Sequence, residues 1–260
     1  MATRYRRAAV AVIALLAATL FVPAAGATQP TIVGGDEVSI RDYPYAVFLT
    51  DRRGGQFCGG VLVEQDTVLT AAHCAQAVPR ADLVVVGGRQ DKRTESGRTS
   101  GVESIWVHPE YRTPGSGNDI ATLTLSRMLW YPTARPATGA DAGLYTAGAE
   151  ATVIGWGRTA DGGPRSNTLR GATLPIVSDQ DCGQAFRNYD PTTMVCAGLP
   201  EGGVDACTGD SGGPLLAGTT VIGIVSWGVG CGEPGKPGVY TRVAHYDGRI
   251  GDSTQPRLFP

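Results

Sequence analysis

The stretch Asp205-Ala206-Cys207-Thr208-Gly209-Asp210-Ser211-Gly212-Gly213-Pro214 places one serine among small residues. Gly209 and Gly212 flank the pair Asp210-Ser211, and glycine accepts backbone angles that other residues resist. A sharp turn here would leave the Ser211 hydroxyl unshielded and would direct backbone N–H groups at one spot, which is what an oxyanion needs. A Gly-rich surface turn with an incidental serine would look the same in isolation, so the rest of the chain has to decide.

The composition favours a globular protein built from strands. The chain has 260 residues, of which 42% are hydrophobic and 18% charged, enough for one large or two small cores. Its 37 glycines and 17 prolines favour short strands joined by turns over long helices. The net charge of −2 argues against a nucleic-acid partner, which usually requires a basic surface.

Short apolar or alternating runs, separated by polar or Gly-rich turns, predict six strands on each side of a linker at 127–140. The runs are 46–49, 60–63, 68–70, 83–86, 102–107, 120–125, 151–154, 170–176, 194–196, 213–216, 221–226 and 238–242. Regular short strands with turn signals are typical of sandwiches and barrels, and this pattern alone leaves both open. The tail after Val243 predicts a short helix at most, because two glycines and a proline oppose a longer one.

The N-terminus predicts a cleaved signal peptide over residues 1–27. Three arginines precede an apolar run of 15 residues at 8–22, and Ala25-Gly26-Ala27 fits the small-residue cleavage rule. A membrane anchor is the alternative, but a span needs about 20 residues. We therefore expect a secreted, extracellular protein that is not bound to a membrane.

Six cysteines in an exported chain indicate three disulfides. Zinc binding is a weak alternative because the chain contains no C-x-x-C pair and only three histidines. The residues alone leave the pairing open among about 15 connectivities. The cysteines are Cys58, Cys74, Cys182, Cys196, Cys207 and Cys231.

A serine nucleophile needs a base, and the base needs an orienting group. Of the histidines, His73 follows an apolar run and adjoins a cysteine that can pin it, whereas His108 precedes a proline and is expected to be exposed, and His245 lies in the tail. Asp119 opens the run 120–125, where a buried carboxylate is costly unless it is paired. The alternative for Asp119 is an ordinary turn residue.

A second serine-enzyme architecture also has to be weighed. The stretch 209–213 fits the G-x-S-x-G nucleophile elbow of α/β-hydrolases, and Ser211, Glu233 and His245 supply the order of that triad. That elbow precedes a long helix, whereas Pro214 and another predicted strand follow here, so an esterase of this kind is disfavoured.

Six motifs follow one another along the chain: Ile32-Val33-Gly34-Gly35, Thr70-Ala71-Ala72-His73-Cys74, Asn118-Asp119-Ile120-Ala121, Gly155-Trp156-Gly157, Gly209-Asp210-Ser211-Gly212-Gly213-Pro214 and Ser226-Trp227-Gly228. Together they resemble the trypsin–chymotrypsin family of serine peptidases, specifically the trypsins secreted by actinobacteria. The resemblance covers residues 32 to about 246. It implies an all-β protease domain at 32–260, made of two six-stranded antiparallel β-barrels packed together, at about 32–129 and 140–246.

By this resemblance, the catalytic residues are Ser211 as nucleophile, His73 as general base and then acid, and Asp119 as the group that orients the imidazole. The backbone N–H groups of Gly209 and Ser211 form the oxyanion hole. The implied reaction is peptide hydrolysis through an acyl-enzyme, with no cofactor or metal. An inactive relative serving as a binding module is the alternative, but such relatives usually lose the serine or the histidine, and both are present.

The resemblance also assigns substrate preference. Asp205 falls at the bottom of the primary pocket, where it would pair with a substrate Arg or Lys, and Gly228 and Gly238 would leave the pocket walls open. The edge Ser226-Trp227-Gly228 would pair with substrate backbone as an added strand. The alternative for Asp205 is a solvated surface residue.

Activation is implied by cleavage after the short pro-segment 28–31. The α-amino group freed at Ile32 would pair with Asp210, but Thr31 stands where a trypsin-activated precursor carries Lys or Arg. We therefore expect a separate activating protease. The other implied partners are protein or peptide substrates with Arg or Lys at the cleavage site and protein protease inhibitors, and we expect a monomer.

Two further implications concern the loops. The family's disulfide scheme implies the pairs Cys58–Cys74, Cys182–Cys196 and Cys207–Cys231. The family's calcium loop would fall at 88–91, where Arg89 replaces an acidic ligand, so no calcium is expected there.

Overall fold

The computed structural model describes residues 32–250. The predicted signal peptide, the pro-segment with Thr31, and the end of the tail at 251–260 lie outside the described residues. The strands are β1 (Asp36–Glu37), β2 (Ala46–Thr50), β3 (Gln56–Glu64), β4 (Thr67–Thr70), β5 (Val84–Gly87), β6 (Arg98–Val107), β7 (Ala121–Leu125), β8 (Arg135–Pro136), β9 (Glu150–Gly155), β10 (Arg170–Val177), β11 (Met194–Ala197), β12 (Pro214–Ala217), β13 (Thr220–Trp227) and β14 (Gly238–Arg242). The α-helices are α1 (Ala72–Ala75) and α2 (Asp179–Ala185), and short 3-10 helices span Arg80–Asp82, Pro114–Ser116, Gly139–Tyr145 and Val243–Tyr246.

Two closed six-stranded barrels make up the fold. The first runs β2-β3-β4-β7-β6-β5 and closes through pairing of β5 with β2. The second runs β9-β10-β11-β14-β13-β12 and closes through pairing of β12 with β9. All pairs within both barrels are antiparallel, so the predicted all-β fold of two six-stranded antiparallel barrels is confirmed.

Each of the twelve predicted runs lies on one of the barrel strands. In β7 the apolar residues Ala121, Leu123 and Leu125 are buried, while the intervening threonines are partly exposed, as expected when successive side chains point to opposite faces. Two strands of two residues were not predicted. β1 pairs with β10 at the outside of the second barrel, and β8 pairs in parallel with β13.

Contacts between the barrels fix the cleft in which the candidate site lies. The ring of Phe48 on β2 meets that of Trp156, after β9, edge-on at 5.0 Å between centroids. The N–H of Gly59 on β3 donates to the carbonyl of Ser211 at 2.7 Å. In the other direction, the Thr241 hydroxyl on β14 donates to the carbonyl of Asp119 at 2.7 Å. Each barrel therefore fixes a segment of the other: β3 binds the segment of Ser211, and β14 binds the segment of Asp119.

Three disulfides reinforce this arrangement, and they use all six cysteines of the chain. Cys58–Cys74 joins β3 to α1, Cys182–Cys196 joins α2 to β11, and Cys207–Cys231 joins the segment before Ser211 to the loop after β13. The bridges close 16, 14 and 24 residues, and loops of this length are worth about 3 kcal/mol each in the chain-entropy picture.

The last helix among residues 32–250 is the short 3-10 helix Val243–Tyr246, which agrees with the prediction of a short C-terminal helix at most. Among residues 32–250, no helix is both long enough and apolar enough to span a bilayer.

Candidate active site

His73 and Asp119 meet at the ends of two neighbouring strands of the first barrel. His73 lies in α1 directly after β4, and Asp119 lies just before β7. His73 Nδ1 is 2.8 Å from Asp119 Oδ2, and the His73 backbone N–H donates to Asp119 Oδ1 at 3.0 Å. In the tautomer that donates from Nδ1 to this carboxylate, Nε2 has a lone pair that can accept a proton.

The Asp119 carboxylate is buried, with 1% exposure, and its hydrogen bonds come from three directions. Besides the two donors of His73, the Ser226 hydroxyl on β13 donates to Asp119 Oδ2 at 2.6 Å. A buried carboxylate is tolerated when donors satisfy its lone pairs. Asp119 is therefore a paired group at the barrel interface and not a turn residue on the surface.

The turn around Ser211 depends on two glycines with positive φ. Gly209 has φ +105°, and Gly212 has φ +80°. A Cβ atom on Gly212 would come within 2.6 Å of the Gly59 carbonyl oxygen. Glycine is required there for both conformation and space. The turn leaves Ser211 partly exposed, while Asp210 beside it is fully buried.

Two backbone N–H groups of this turn remain available. The N–H groups of Asp210, Gly212 and Gly213 donate to the carbonyls of Cys207, Val225 and Asp210 at 2.8–2.9 Å. For the N–H groups of Gly209 and Ser211, the described residues provide no acceptor. Two donors without acceptors, two residues apart in one turn, are what a binding site for a negatively charged oxygen requires.

Ser211 and His73 both lie next to the sulfur atom of Cys74, which belongs to the Cys58–Cys74 disulfide. Cys74 Sγ lies 3.4 Å from His73 Nε2 and 3.4 Å from the Ser211 carbonyl oxygen. No hydrogen bond joins the Ser211 hydroxyl to His73 within residues 32–250. Such contacts are often long in free enzymes and shorten when substrate binds.

A cavity of about 160 Å³ opens beside Ser211. All five predicted substrate-binding residues line it. The full lining is Asp205, Ala206, Cys207, Thr208, Ser211, Val225, Ser226, Trp227, Gly228, Gly230, Cys231, Gly238, Val239 and Tyr240. The structure thus brings together the serine and the pocket residues that the sequence assigns to one site.

The Asp205 carboxylate is buried and only partly satisfied. Asp205 is 4% exposed, which rules out a solvated surface role, and its Oδ2 accepts the Gly232 N–H at 3.1 Å. Its Oδ1 has no hydrogen-bond partner among the described residues, and neither has the buried hydroxyl of Tyr240. Burial raises the pKa of the Asp205 carboxyl to about 7, against the opposing effect of the Gly232 N–H. An unpaired carboxylate oxygen that lines a cavity is suited to a ligand with several N–H donors.

The cavity walls are open because glycines face it. A Cβ atom on Gly238 would lie 2.6 Å from Asp205 Oδ1, so any side chain there would cover the carboxylate. Around Gly228, the nearest atom to such a Cβ is 3.9 Å away. Both positions leave room for a long substrate side chain.

Ile32 and Asp210 are both fully buried. Asp210 Oδ1 accepts the Gly157 N–H at 2.6 Å, and Oδ2 accepts the Cys207 N–H at 3.0 Å. Burial raises the pKa of the Asp210 carboxyl to about 6. Next to Ile32, the Val33 carbonyl accepts the N–H of Asp205 at 3.0 Å, which attaches the N-terminal segment to the pocket.

The other histidines lie away from this chemistry. His108 was expected to be exposed, but it is 2% exposed, because it packs on Tyr246 and its Nε2 lies 2.7 Å from Arg249 Nη1. His245 lies in the 3-10 helix at the end of the second barrel. Ser211 leads into β12 and not into a long helix, so the α/β-hydrolase alternative is wrong.

Ligand atoms of three His, Cys, Asp or Glu residues come together at two places among residues 32–250. The groups are Cys58-His73-Cys74 and Asp161-Cys207-Cys231. Both rely on disulfide-bonded cysteines, which have no thiolate to offer a metal.

Comparisons with known proteins agree with this geometry. The family model described as Trypsin matches residues 32–250. A trypsin from Saccharopolyspora erythraea is 47% identical over 217 residues, covering 83% of this chain and 95% of that protein. Trypsin 5G1 from Aedes aegypti is 36% identical over 256 residues, covering 90% and 94%. Trypsin-1 from Astacus astacus is 37% identical over 235 residues, covering 83% and 96%.

Replacing Asp205 by asparagine should stabilise the empty protein at alkaline pH. The folded-state pKa of about 7 exceeds the ordinary value of about 4, so ionisation penalises the fold increasingly as pH rises from 4 to 7, and fully above 7. In a Ser211→Ala background, which prevents self-digestion, urea denaturation at pH 8.5 should show a free energy of unfolding higher by roughly 2–4 kcal/mol for Asp205→Asn. The gain should nearly vanish at pH 4. Asp42→Asn, which changes an exposed carboxylate, serves as the control. Equal or lower stability of Asp205→Asn at pH 8.5 would contradict the conclusion that ionisation of buried Asp205 destabilises the fold.

Proposed function

Because the chain belongs to the trypsin family of serine proteases, we propose that it is a secreted endopeptidase that hydrolyses peptide bonds after Arg or Lys. Family membership makes it a serine endopeptidase with protein substrates. The observation that carries the preference for Arg and Lys is the buried, partly unpaired carboxylate of Asp205 in the cavity beside Ser211.

In the proposed mechanism, Ser211 Oγ attacks the scissile carbonyl carbon while His73 Nε2 takes the hydroxyl proton. The imidazolium that forms is stabilised by Asp119, which is 2.8 Å from Nδ1. The oxyanion is bound by the N–H groups of Gly209 and Ser211. Collapse of the tetrahedral intermediate breaks the C–N bond, and His73 delivers its proton to the leaving amine. Water, deprotonated by His73, then hydrolyses the acyl-enzyme and regenerates Ser211.

A basic substrate side chain would supply the hydrogen-bond donors and the positive charge that the cavity lacks. Its guanidinium or ammonium group would supply donors to Asp205 Oδ1 and a charge that stabilises the ionised carboxylate, so binding should lower the Asp205 pKa from about 7. An apolar side chain would leave Asp205 and the Tyr240 hydroxyl buried without partners. Discrimination against such ligands is strong because unpaired buried polar groups are costly.

Activation by cleavage before Ile32 completes the proposal. The freed α-amino group would pair with Asp210, whose buried carboxylate has no ion-pair partner at hydrogen-bond distance among residues 32–250. Ile32 has φ +40°, which is unfavourable for a β-branched residue, and cutting the preceding peptide bond removes that constraint.

The predicted signal peptide and the three disulfides support secretion into an oxidising environment. The activating protease, protein inhibitors bound at the same cleft and a monomeric state belong to this proposal.

The function is tested with peptide amides that differ only in Arg, Lys, Phe or Ala before the scissile bond. Protein with a verified Ile32 N-terminus should cleave the Arg and Lys peptides with kcat/KM at least about 100-fold above the others. The Ser211→Ala variant should be inactive on all four. Preferential cleavage after Phe would refute the pocket assignment, and no cleavage at all would favour a binding module.

The Asp205→Ser variant separates specificity from catalysis. It should lose roughly 10²–10³-fold in kcat/KM for Arg and Lys substrates, which corresponds to about 3–4 kcal/mol for a removed buried charge partner. Turnover of the Ala peptide and the circular dichroism spectrum should change little. Unchanged cleavage after Arg would show that Asp205 does not bind the substrate side chain.

The precursor should not be activated by its own mature form, because Thr31 provides no Arg or Lys before the cleavage site. Precursor carrying Ser211→Ala is incubated with active mature enzyme, and its N-terminus is sequenced over time. We expect Thr31→Arg precursor to acquire an Ile32 N-terminus rapidly, whereas the natural precursor stays intact. Rapid conversion of the natural precursor would overturn the requirement for a separate protease.

A further inference from the structure

A partly buried path of hydrogen bonds runs from Lys92 to Gly209. Lys92 lies between β5 and β6, and its Nζ donates to Gln56 Oε1 at 2.9 Å. Gln56, at the start of β3, donates from Nε2 to the Gly209 carbonyl at 2.7 Å. Gln56 is 7% exposed, so water hardly competes for these bonds. The path crosses from the first barrel to the turn that carries Ser211.

One further contact links Lys92 to the same turn, and another holds the backbone of Gln56. Lys92 Nζ also donates to the Trp156 carbonyl at 3.2 Å, and the next residue, Gly157, donates its N–H to Asp210. Arg165 donates to the Gln56 backbone carbonyl at 2.6 Å. Lys92 thus braces the supports of both Gly209 and the neighbouring Asp210.

The conformation of Gly209 explains why such bracing matters. Glycine has more backbone freedom than any other residue because it has no side chain. Gly209 has φ +105°, and steric contacts of its own do not hold its backbone in this conformation. Its N–H is one of the two without an acceptor, and the carbonyl in the same peptide plane, that of Thr208, accepts the Arg158 N–H at 2.9 Å. The Gly209 carbonyl lies in the following peptide plane, which Gln56 anchors at 2.7 Å. Holding the planes on both sides of Gly209 limits rotation about its two backbone bonds, and such rotation would turn the N–H away.

We propose that Lys92, acting through Gln56, is a positioning residue for the oxyanion site. This inference rests on the proposed function, in which the Gly209 N–H binds the oxyanion. Neither Lys92 nor Gln56 lines the cavity beside Ser211, so both act on the reaction through Gly209 and not through the bound side chain.

The charge of Lys92 fits this role at neutral pH. Burial, and to a smaller extent the charge of Arg165, lower the pKa of its ammonium group to about 8, while Asp210 and Asp91 oppose the shift. At pH 7 the group is therefore largely charged and donates to both of its acceptors. A charged donor makes a stronger hydrogen bond than a neutral one, so assays belong at this pH.

The test compares Lys92→Met and Gln56→Leu with Lys236→Met, which removes the other lysine of the chain. The Lys236 ammonium donates to the Ala185 carbonyl and does not line the cavity, so it is a matched control. At pH 7, with verified Ile32 N-termini and an Arg peptide amide, we expect kcat to fall roughly 5–20-fold in the first two variants, a part of what loss of a whole oxyanion donor causes. KM should stay within about twofold, and the control should match the parent.

Two inhibitors separate positioning from damage to the pocket. Affinity for a peptidyl boronate with an Arg side chain, whose boronate oxygen occupies the oxyanion position, should fall in parallel with kcat. Affinity for benzamidine, which fills the side-chain cavity alone, should be unchanged. Because Lys92 acts through Gln56, adding Lys92→Met to Gln56→Leu should cost less than about twofold more.

An unchanged kcat in both variants, or an equal loss of boronate and benzamidine affinity, would overturn the proposal. Full additivity of the two substitutions would overturn the path through Gln56. If Lys92→Met does not fold, Gln56→Leu tests the bond to Gly209, and Lys92→Gln, which removes the charge, tests the lysine. An inactive parent enzyme would refute the proposed function, which distinguishes that failure from a failure of this inference alone.

Discussion

The site depends on hydrogen bonds exchanged between the two barrels. Gly59 of the first barrel holds the carbonyl of Ser211, and Thr241 of the second barrel holds the carbonyl of Asp119, each at 2.7 Å. Ser226 of the second barrel adds a direct bond to the Asp119 carboxylate. Neither barrel contains a complete site, so relative docking of the barrels sets the chemistry. The bonds that hold Ser211 and Asp119 in place use one backbone donor, the Gly59 N–H, and two short hydroxyl side chains, those of Thr241 and Ser226.

Short apolar or alternating runs made the barrel strands predictable, because burial of one or both faces of a strand is recorded in its own residues. The elements that were missed depend on other signals. Helix α2 has a local one, since the Ser178 hydroxyl accepts the Asp181 N–H at its N-terminus and acidic residues follow in the first turn. Strands β1 and β8 have two residues each and exist through pairing with distant strands. Burial of His108 likewise results from the packing of Arg249 and Tyr246, far along the chain.

The residues of the candidate site also divide into those with a local sequence signal and those without one. His73, Asp119 and Ser211 stand at strand ends or in a glycine turn, surrounded by short patterns that identify them. Gln56 has no such pattern, because its bond to Gly209 spans 153 residues and its bond to Lys92 spans 36. Lys92 offered one faint signal, since the chain contains two lysines. Groups that support a site from behind are specified by three-dimensional contacts and leave little trace in the neighbouring sequence.

The unpaired oxygen of Asp205 makes the stability of the folded protein depend on whether the cavity beside Ser211 is occupied. An empty cavity keeps a carboxylate buried without a partner, whereas a bound cation removes that penalty, and any ligand that binds the folded state alone shifts the folding equilibrium toward it. A protease in contact with proteases, its own copies included, is attacked mainly through transiently opened states. Idle molecules therefore open more often and are digested sooner than occupied ones. For an enzyme with the proposed preference for basic side chains, substrate supply would thereby affect how long a molecule survives among proteases.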